Sequence, residues 1–373
     1  MIETSKKEQL YELIRANPFI SQQDLASRLG LSRSAVAGYI AGLIRERRLL
    51  GRAYVLPDRR PVLCIGAANI DRKLRAEDSL AMGTSNPARQ SESFGGVARN
   101  IAENLARLGA PVALTTAVGI DAAGAALLAH AHKLGIDTGA TLKLPGASSG
   151  TYTAVLDHDG EMAVALADMA LYDALTPDFF AVSQQQRANA ALVVADLNLP
   201  LDAVQALITE AAQGEVQLVI VAVSEPKMNR LPASLHGVRL LILNEGELAA
   251  RAGRVLESDA DIAAACQELR AQGAQDLIVT RGARGVLYTI GDGIEHLPVP
   301  ATSVVDVTGA GDAFAAAVCW SLHRGDGDLA LACRRGVRLS TLTLGCNHTV
   351  CPDLTPNSLD DIAGGPSTLI HQD

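Results

Sequence analysis

The sequence predicts an α/β protein with a doubly wound, mainly parallel sheet, a small β lid and a small helical domain in front of it. Three observations predict this fold. From residue 191 onward, short apolar runs alternate with helical patterns, which is typical of a parallel sheet with helices on both faces. Residues 72–94 are polar and break the strand–helix pattern, as expected of a lid. Residues 1–48 contain three short helical patterns instead.

Composition divides the chain into two parts. Of its 373 residues, 48% are hydrophobic and 20% are charged, which is enough for a substantial core. The first 60 residues contain 11 Lys/Arg and 6 Asp/Glu, whereas the rest contain 21 and 35. Residues 57–61 (PDRRP) form a short, stiff linker, so we expect domains at 1–58 and 61–373. A basic small domain beside an acidic large one indicates different partners.

The same composition predicts a cytoplasmic protein without membrane contact. No apolar run approaches the roughly 18 residues that cross a bilayer. The N-terminus is polar and does not have the pattern of a secretory signal. The six cysteines form no CxxC pair, and they are typical of buried thiols in a reducing compartment.

The small domain is predicted to contain three helices. Leu10 and Ile14 give the first helix an apolar face, Ser21 caps the second, and Ser32 caps the third. Residues 49–56 then indicate a short β-ribbon. Three helices with a glycine-containing turn before the third, followed by a ribbon, resemble a winged helix-turn-helix.

That resemblance implies that the third helix faces a DNA major groove. The residues on its outer face are Ser32, Arg33, Ser34 and Gly38. The arginines expected to meet phosphates are Arg45, Arg47, Arg48 and Arg52. The alternative is a bundle that makes protein contacts, because basic residues at helix ends also complement the helix dipole.

The first apolar run of the large domain, residues 62–66, predicts a buried strand that leads to Asp71. Residues just beyond the carboxyl end of such a strand line the ligand crevice of an open α/β sheet. The Asp71 carboxylate can accept hydrogen bonds from two neighbouring sugar hydroxyls; alternatively, it closes an Asx turn. The lid over this crevice is predicted from residues 72–94 and from a hairpin within residues 150–167.

Two polar motifs follow, each with two interpretations. Gly95 and Gly96 precede a helix that carries Asn100; they let a substrate approach the backbone, or they simply form a turn. Asn244 and Glu247 have the spacing of a capping box at a helix start. The same pair at the carboxyl end of a strand also suits a Mg²⁺ shell.

Sequence signals for the common nucleotide folds are weak or missing. GxxxxGK[ST] does not occur, and no GxGxxG follows the first strand, so neither a P-loop nor a dinucleotide site is predicted. Thr280-x-Gly282-x-x-Gly285 is a weak phosphate-loop signal by itself.

The strongest signal is the stretch DVTGAGDAF at residues 306–314, which follows a β-like apolar run, residues 297–305, and leads into an alanine-rich helix. Gly309 and Gly311 allow backbone amides to converge on an anion, and the helix adds its positive dipole end. Asp312 would repel that anion, unless it takes a proton from an attacking hydroxyl. The alternative is a glycine-rich turn with an acidic residue in the first helical turn.

Together, these motifs resemble the ribokinase-like (PfkB) carbohydrate and nucleoside kinases. GG-x3-N, N-x-x-E, T-x-G-x-x-G and D-x-T-G-A-G-D-x-F occur in this order across residues 61–353. The stretches IGAANIDRK, GTSNP and ESFGGVARNIAENLARLG are most similar to the bacterial pseudouridine-kinase branch of that family. Several similar members also carry an N-terminal helix-turn-helix.

The resemblance implies ATP-dependent phosphorylation of the ribose 5′-hydroxyl of pseudouridine, with Mg²⁺, a monovalent cation (K⁺) and a homodimer formed through the lids. Asp312 would be the base, and amides of Gly309, Ala310, Gly311 and Asp312 would hold the developing charge. The implied substrate residues are Asn69, Asp71, Ser85, Asn86, Gly95, Gly96 and Asn100. The implied nucleotide residues are Asn244, Glu247, Thr280, Gly282 and Gly285, with residues 345–348 beside the adenine. Glu247 would hold Mg²⁺ through water, and Asp306 and Thr308 would hold the monovalent cation.

Other functions stay open at this point. A different PfkB-type kinase of ribose, a ketohexose, uridine or adenosine would use the same phosphate chemistry. A transcription regulator would use the large domain only to sense a ligand, although a sensor has no need of a base at Asp312.

Overall fold

The computed structural model of the chain describes residues 5–16, 20–49, 60–214, 216–325, 328–360 and 368–370. The chain divides into two compact units, the head (Met1–Pro61) and the body (Val62–Asp373).

The described part of the head contains three helices, α1 (Lys6–Ala16), α2 (Gln22–Leu29) and α3 (Arg33–Arg45). Both predicted N-caps are confirmed, because the side chain of Ser21 accepts from the amide of Asp24 and that of Ser32 from the amide of Ala35. The helices bury a small apolar core that includes Leu10, Ile14, Leu25, Val36 and Leu43. The predicted ribbon at residues 49–56, Leu49 excepted, lies outside the described residues, as does Arg52.

The body is built from short strands and the helices that connect them. Its strands are β1 (Val62–Ile65), β2 (Asn69–Ala76), β3 (Ala88–Gly95), β4 (Val112–Thr115), β5 (Ala117–Gly119), β6 (Leu142–Leu144), β7 (Thr151–Leu156), β8 (Met162–Asp168), β9 (Leu192–Asp196), β10 (Gln217–Val221), β11 (Val238–Asn244), β12 (Asp276–Thr280), β13 (Val286–Ile290), β14 (Gly293–Leu297) and β15 (Thr368–Ile370). Its helices are α4 (Val97–Arg107), α5 (Ala122–Lys133), α6 (Pro177–Val182), α7 (Gln184–Asn189), α8 (Leu201–Gln213), α9 (Glu245–Ala252), α10 (Asp259–Ala271), α11 (Ala310–Arg324) and α12 (Leu329–Leu344).

The main sheet confirms the predicted doubly wound architecture. Its strand order is β15-β14-β13-β12-β11-β10-β9-β1-β4. The run from β4 to β12 is parallel, whereas β13, β14 and β15 add antiparallel strands at one edge. The chain starts at β1 and extends the sheet on both sides of it. The carboxyl ends of β1 and β9 therefore form the switch point, where open α/β sheets bind ligands.

The polar excursion forms a separate sheet of order β3-β2-β7-β8, here called the lid. Its first strand begins at Asn69, three residues before the predicted start, so Asp71 belongs to the lid itself. The β7–β8 hairpin joins the lid through parallel pairing of β7 with β2.

One predicted strand is wrong. The apolar run at residues 297–305 is not a strand, because β14 ends at Leu297 and the segment that follows is irregular. Pro298 and Pro300 lack the backbone N–H groups that a sheet ladder needs.

The structure also bears on the cysteines and on membrane-spanning segments. All six cysteines are free, and five of them are buried. Among the described residues, every helix is too short or too polar to cross a bilayer.

Candidate active site

The centre of the candidate site is held together by Asp196, at the carboxyl end of β9. Its buried carboxylate accepts hydrogen bonds from the amides of Ala67 (3.0 Å), Ala98 (2.9 Å) and Asn198 (2.8 Å). This fixes the loop after β1 against the first turn of α4. Burial raises the pKa of Asp196, and the three amides act against that rise. Sequence reasoning did not assign Asp196, although an acid at the end of an apolar strand was a usable signal.

The double glycine sits where the lid meets α4, and both positions exclude a side chain. A Cβ at Gly95 would lie 2.2 Å from an Asp71 carboxylate oxygen. Gly96 has a φ of +100°, and its Cβ would lie 2.4 Å from the carbonyl oxygen of Ala67. The glycines therefore allow the lid strand and the loop after β1 to approach one another closely.

Asp71 and Asn69 lie on β2, with their side chains in contact. The Asn69 amide donates to the Asp71 carboxylate at 2.6 Å. Burial raises the pKa of Asp71, while Asn69, Arg99 and Lys73 act in the opposite direction. Asp71 is thus an acceptor with one donor already in place.

Asn100 connects the double-glycine helix to Asp312. Its side-chain amide donates to the Asp312 carboxylate at 2.7 Å, and its own oxygen accepts from Arg99 at 2.7 Å. Arg99 also makes a buried ion pair with Glu103, so the orientation of the Asn100 amide is fixed on both sides. Sequence reasoning missed Arg99, although it precedes Asn100 in the motif.

Asp312 has a strongly raised carboxyl pKa. Removal from bulk water is the main cause, and together with the charges of Asp196 and Asp71 it raises this pKa to about 7. The hydrogen bond from Asn100 and the charge of Arg99 act in the opposite direction. A carboxylate with a pKa near neutrality is suited to proton transfer at physiological pH.

The anion loop, residues 309–312, forms the start of α11. Gly309 caps the helix in the left-handed region (φ +81°), and a Cβ there would lie 2.0 Å from the carbonyl oxygen of Thr349. The first-turn amides of a helix have no partner within it. The amides of Gly311 and Asp312 lie in the first turn of α11, so they are candidate donors to an anion. The Ala310 amide also donates to Val307 at 3.3 Å, so it is the weakest candidate donor of the loop.

Asp306 and Thr308 precede this loop and contact one another. The Asp306 carboxylate oxygen Oδ1 accepts from the amide (2.9 Å) and the hydroxyl (2.7 Å) of Thr308. The other oxygen, Oδ2, accepts from Nζ of Lys73 on the lid at 2.6 Å. Desolvation acts to raise the pKa of Asp306, but the bonds from Lys73 and Thr308 outweigh it and lower the pKa to about 2. Lys73 was not among the predicted site residues.

The predicted nucleotide residues lie at the carboxyl ends of β11 and β12, where Asn244 pairs with Thr280. Asn244 and Glu247 do form a capping box, with bonds of 2.8 Å and 2.7 Å. Burial raises the pKa of Glu247, the Asn244 amide acts against it, and the carboxylate of Glu225 raises it further. The capping interpretation is thus correct, and it leaves a pair of neighbouring carboxylates in place.

A cavity of about 800 Å³ brings the glycine-rich motifs together. Its wall includes Thr280, Gly282, Gly285, Ala310 and Gly311, and the irregular segment from Val299 to Val307. The far wall comes from α12 through Val337, Ser340, Thr341 and Leu344. Residues 345–348, which were expected beside the adenine, do not line this cavity.

Ser85 and Asn86 are not brought to Asp312 by any described contact. Ser85 is exposed in the lid turn. The Asn86 side chain bonds the backbone of Ala81 in both directions and also donates to Thr84. In this structure its role is to brace that turn, because all of these bonds are local.

In the head, four of the predicted DNA residues are exposed on α3: Ser32, Arg33, Ser34 and Gly38. Arg48 is different. It makes a two-pronged ion pair with Glu8 (2.8 and 2.6 Å) and stacks over the ring of Tyr11. Its assignment as a phosphate contact stays a prediction, and the structure adds that its guanidinium is paired with Glu8 of α1.

Comparison with protein families decides the class of the body. The family model described as "pfkB family carbohydrate kinase" matches residues 59–354. The chain belongs to the PfkB family of carbohydrate kinases. It is therefore a phosphotransferase with a hydroxyl group as acceptor, in a family that uses ATP. A second model, described as "Winged helix-turn-helix DNA-binding", matches residues 4–46 of the head.

Individual relatives agree with this assignment. The PfkB kinase is 33% identical over 322 residues to the "Uncharacterized sugar kinase YeiI" of Escherichia coli, covering 86% of this chain and 88% of the relative. It is 34% identical over 298 residues to the "Pseudouridine kinase" of the same organism, covering 79% and 93%. A solved "Carbohydrate kinase from Agrobacterium tumefaciens" is 31% identical with a TM-score of 0.69, covering 81% and 96%.

A more distant neighbour shares the fold. The ribokinase of Arabidopsis thaliana, solved with ribose and ATP, is 20% identical with a TM-score of 0.69, covering 80% of this chain and 97% of the neighbour. The ribokinase-like architecture predicted for the PfkB kinase is therefore confirmed.

Proposed function

We propose that this PfkB kinase phosphorylates the ribose 5′-hydroxyl of pseudouridine with ATP. The observation that carries the proposal is the contact between Asn100 and Asp312, which joins the GG-x3-N motif to the anion loop. Asp71 lies beside the same glycines and provides the acceptor for sugar hydroxyls. The 34% identity to a pseudouridine kinase supports the choice of nucleoside.

The proton transfer is assigned to Asp312. Its carboxylate takes the proton of the 5′-hydroxyl as that oxygen forms a bond to the γ-phosphorus, and the bond from that phosphorus to the ADP oxygen breaks. Amides at the start of α11 hold the charge that develops on the transferred group. Gly309 makes this possible, because a side chain there would collide with Thr349.

The residues at the end of β11 fit Mg²⁺. Hard oxygen ligands are what this ion prefers, often through water. The Glu247 capping bond engages Oε2, and the nearby carboxylate of Glu225 raises the pKa of the same group. Two neighbouring acids favour a divalent cation. When bound, Mg²⁺ neutralises phosphate charge, and Glu247 would hold it through water.

A side-by-side screen tests the substrate. The purified full-length chain is given ATP and Mg²⁺ with pseudouridine, uridine, adenosine, ribose or a ketohexose, and ADP formation is followed. We expect pseudouridine to give the highest kcat/KM, with a single phosphate on the 5′-oxygen by NMR. A preference for a free sugar would show that the substrate is a sugar and not pseudouridine. A sugar is the second candidate, because a relative of similar identity is described as a sugar kinase. No turnover with any acceptor would favour a ligand-sensing regulator.

The head is proposed to bind DNA through α3. Ser32, Arg33 and Ser34 are exposed at its first turn, and the helix-turn-helix match supports this use. We expect Arg33→Ala to weaken binding to genomic DNA fragments and to reduce the salt slope of log K by about 1. The matched control is Arg15→Ala on α1, and kcat should not change in either variant. A salt slope unaffected by Arg33→Ala would contradict this assignment.

The lid is proposed to mediate a homodimer in the cytoplasm. Val164 and Leu166 are 48% and 64% exposed on one face of the edge strand β8. An apolar stripe on an edge strand is a ready surface for a second copy. Six free cysteines suit a reducing compartment. We expect Leu166→Glu to shift sedimentation from dimer to monomer and Ala167→Glu, which is exposed on the opposite face, to leave it unchanged. A wild-type monomer at micromolar concentration would refute the dimer.

A further inference from the structure

Lys73 connects the lid to the segment that leads into the anion loop. Its ammonium lies 2.6 Å from Oδ2 of Asp306, 233 positions away in the sequence. The two side chains are partly exposed, at 38% and 27%. Lys73 and Asp71 are two residues apart on β2, so their side chains leave the strand on the same face. One face of one lid strand therefore supplies both an acid for the sugar and a cation for the anion loop.

Both carboxylate oxygens of Asp306 already accept hydrogen bonds, and one of the donors carries a positive charge. Oδ1 accepts two hydrogen bonds from Thr308, and Oδ2 accepts from Lys73. A K⁺ ion at this carboxylate would sit beside an ammonium of the same charge, which repels it at close range. The pair Asp306 and Thr308, which the family resemblance assigns to K⁺, does not fit that ion in this chain.

We propose that the ammonium of Lys73 takes the place of the monovalent cation beside the anion loop. An ammonium has the charge of K⁺ and a similar size, and it donates to the same kind of oxygen ligand. It holds the segment of Asp306 and Thr308, which leads directly to Gly309 and the first-turn amides. The inference rests on the proposed kinase chemistry, and it adds that this kinase works without K⁺.

The proposal also couples the lid to the loop. Asp71 and Lys73 leave the same face of β2, so the strand that supplies the acceptor for the sugar also supplies the cation for Asp306. A soluble ion would be present regardless of the lid. An ordinary exposed ion pair, in contrast, contributes little to stability. Its removal would not make turnover depend on K⁺.

The test compares the wild type with Lys73→Met, which keeps the length of the side chain and removes its charge. The control is Arg75→Met, on the same strand face, because the Arg75 guanidinium donates to the His158 carbonyl and not to the anion loop. Turnover is measured in chlorides of K⁺, NH₄⁺ and tetramethylammonium at equal ionic strength. We expect equal turnover of wild type and Arg75→Met in all three salts, within about twofold. Lys73→Met should lose about tenfold or more in tetramethylammonium and regain most of it in K⁺ or NH₄⁺, as expected for loss of one charge contact.

A second readout does not depend on any substrate. K⁺ should raise the thermal midpoint of Lys73→Met relative to tetramethylammonium, by about 2 °C or more, and leave the wild type unchanged. If no acceptor is phosphorylated but this difference is seen, the cation inference holds and the proposed function fails. The inference is overturned if the wild type requires K⁺, if Lys73→Met keeps full turnover without it, or if K⁺ restores neither turnover nor stability to the variant.

Discussion

Asp312→Asn is expected to lower kcat by about 10³-fold, within the 10²–10⁴-fold that a positioned general base contributes. The substitution keeps the size of the side chain and an oxygen that can accept the 2.7 Å bond from Asn100. Binding of the acceptor should survive, because Asp71 and the glycines are untouched. The measurement is kcat under saturating ATP and pseudouridine, with acceptor affinity from calorimetry.

Two controls separate lost chemistry from lost folding. Asp353→Asn, at an exposed position, should leave kcat unchanged. Because burial raises the Asp312 pKa to about 7, the folded state favours the protonated acid and loses stability as pH rises from about 4 to 7. Asparagine removes that loss, so the variant should have a higher Tm than the wild type at pH 8 and a similar one at pH 4. Unchanged turnover in Asp312→Asn would refute the base.

The pH profile of the wild type follows from the same pKa. A base must be ionised to act, so kcat/KM should rise about tenfold per pH unit below about 7 and level off above it. A profile that is flat between pH 5.5 and 8 would contradict this, whichever acceptor is used.

Asp71→Ala is the second large effect, and it should act on the acceptor. A hydrogen bond to a charged group contributes roughly 1.5–3 kcal/mol. Losing one or two of them should reduce kcat/KM for pseudouridine by about 10²–10³-fold, mainly through KM. The KM for ATP should stay within about twofold, because Thr280, Gly282 and Gly285, the predicted nucleotide residues, line a cavity that Asp71 does not line.

Asp78→Ala is the matched control, since it removes an exposed acid from the same lid segment. If both variants behave alike, the effect belongs to the lid in general and not to the Asp71 carboxylate. If the loss falls on the KM for ATP, Asp71 has been assigned to the wrong substrate.

Most of the fold was predictable because its signals are local. Ser21 and Ser32 cap their helices as expected, since an N-cap depends on residues three positions apart. The strand–helix alternation gave the parallel sheet for a similar reason. The strand predicted at residues 297–305 is wrong, because the run is apolar but contains two prolines, which cannot donate to a sheet ladder.

The candidate site was only partly predictable, and the misses share one cause. The sequence did not show that Arg48, which is expected to meet a phosphate, pairs with Glu8, 40 positions away. It also did not show that the side chain of Asn86, which is expected to contact the substrate, bonds within its own turn. Sequence spacing identifies which residue types are present, and it does not reveal what each side chain will meet.

By itself, the sequence determined the class of this protein: a PfkB kinase body with the GAGD anion loop, and a helix-turn-helix head. Motifs of this kind are carried by a few adjacent residues, whose backbone geometry they largely fix. Only the tertiary structure decided three contacts: Asn100 donates to Asp312, the loop after β1 donates to Asp196, and Lys73 pairs with Asp306. These contacts join residues more than 100 positions apart, and they depend on the strand order and on the register of the lid. No local pattern records either of these.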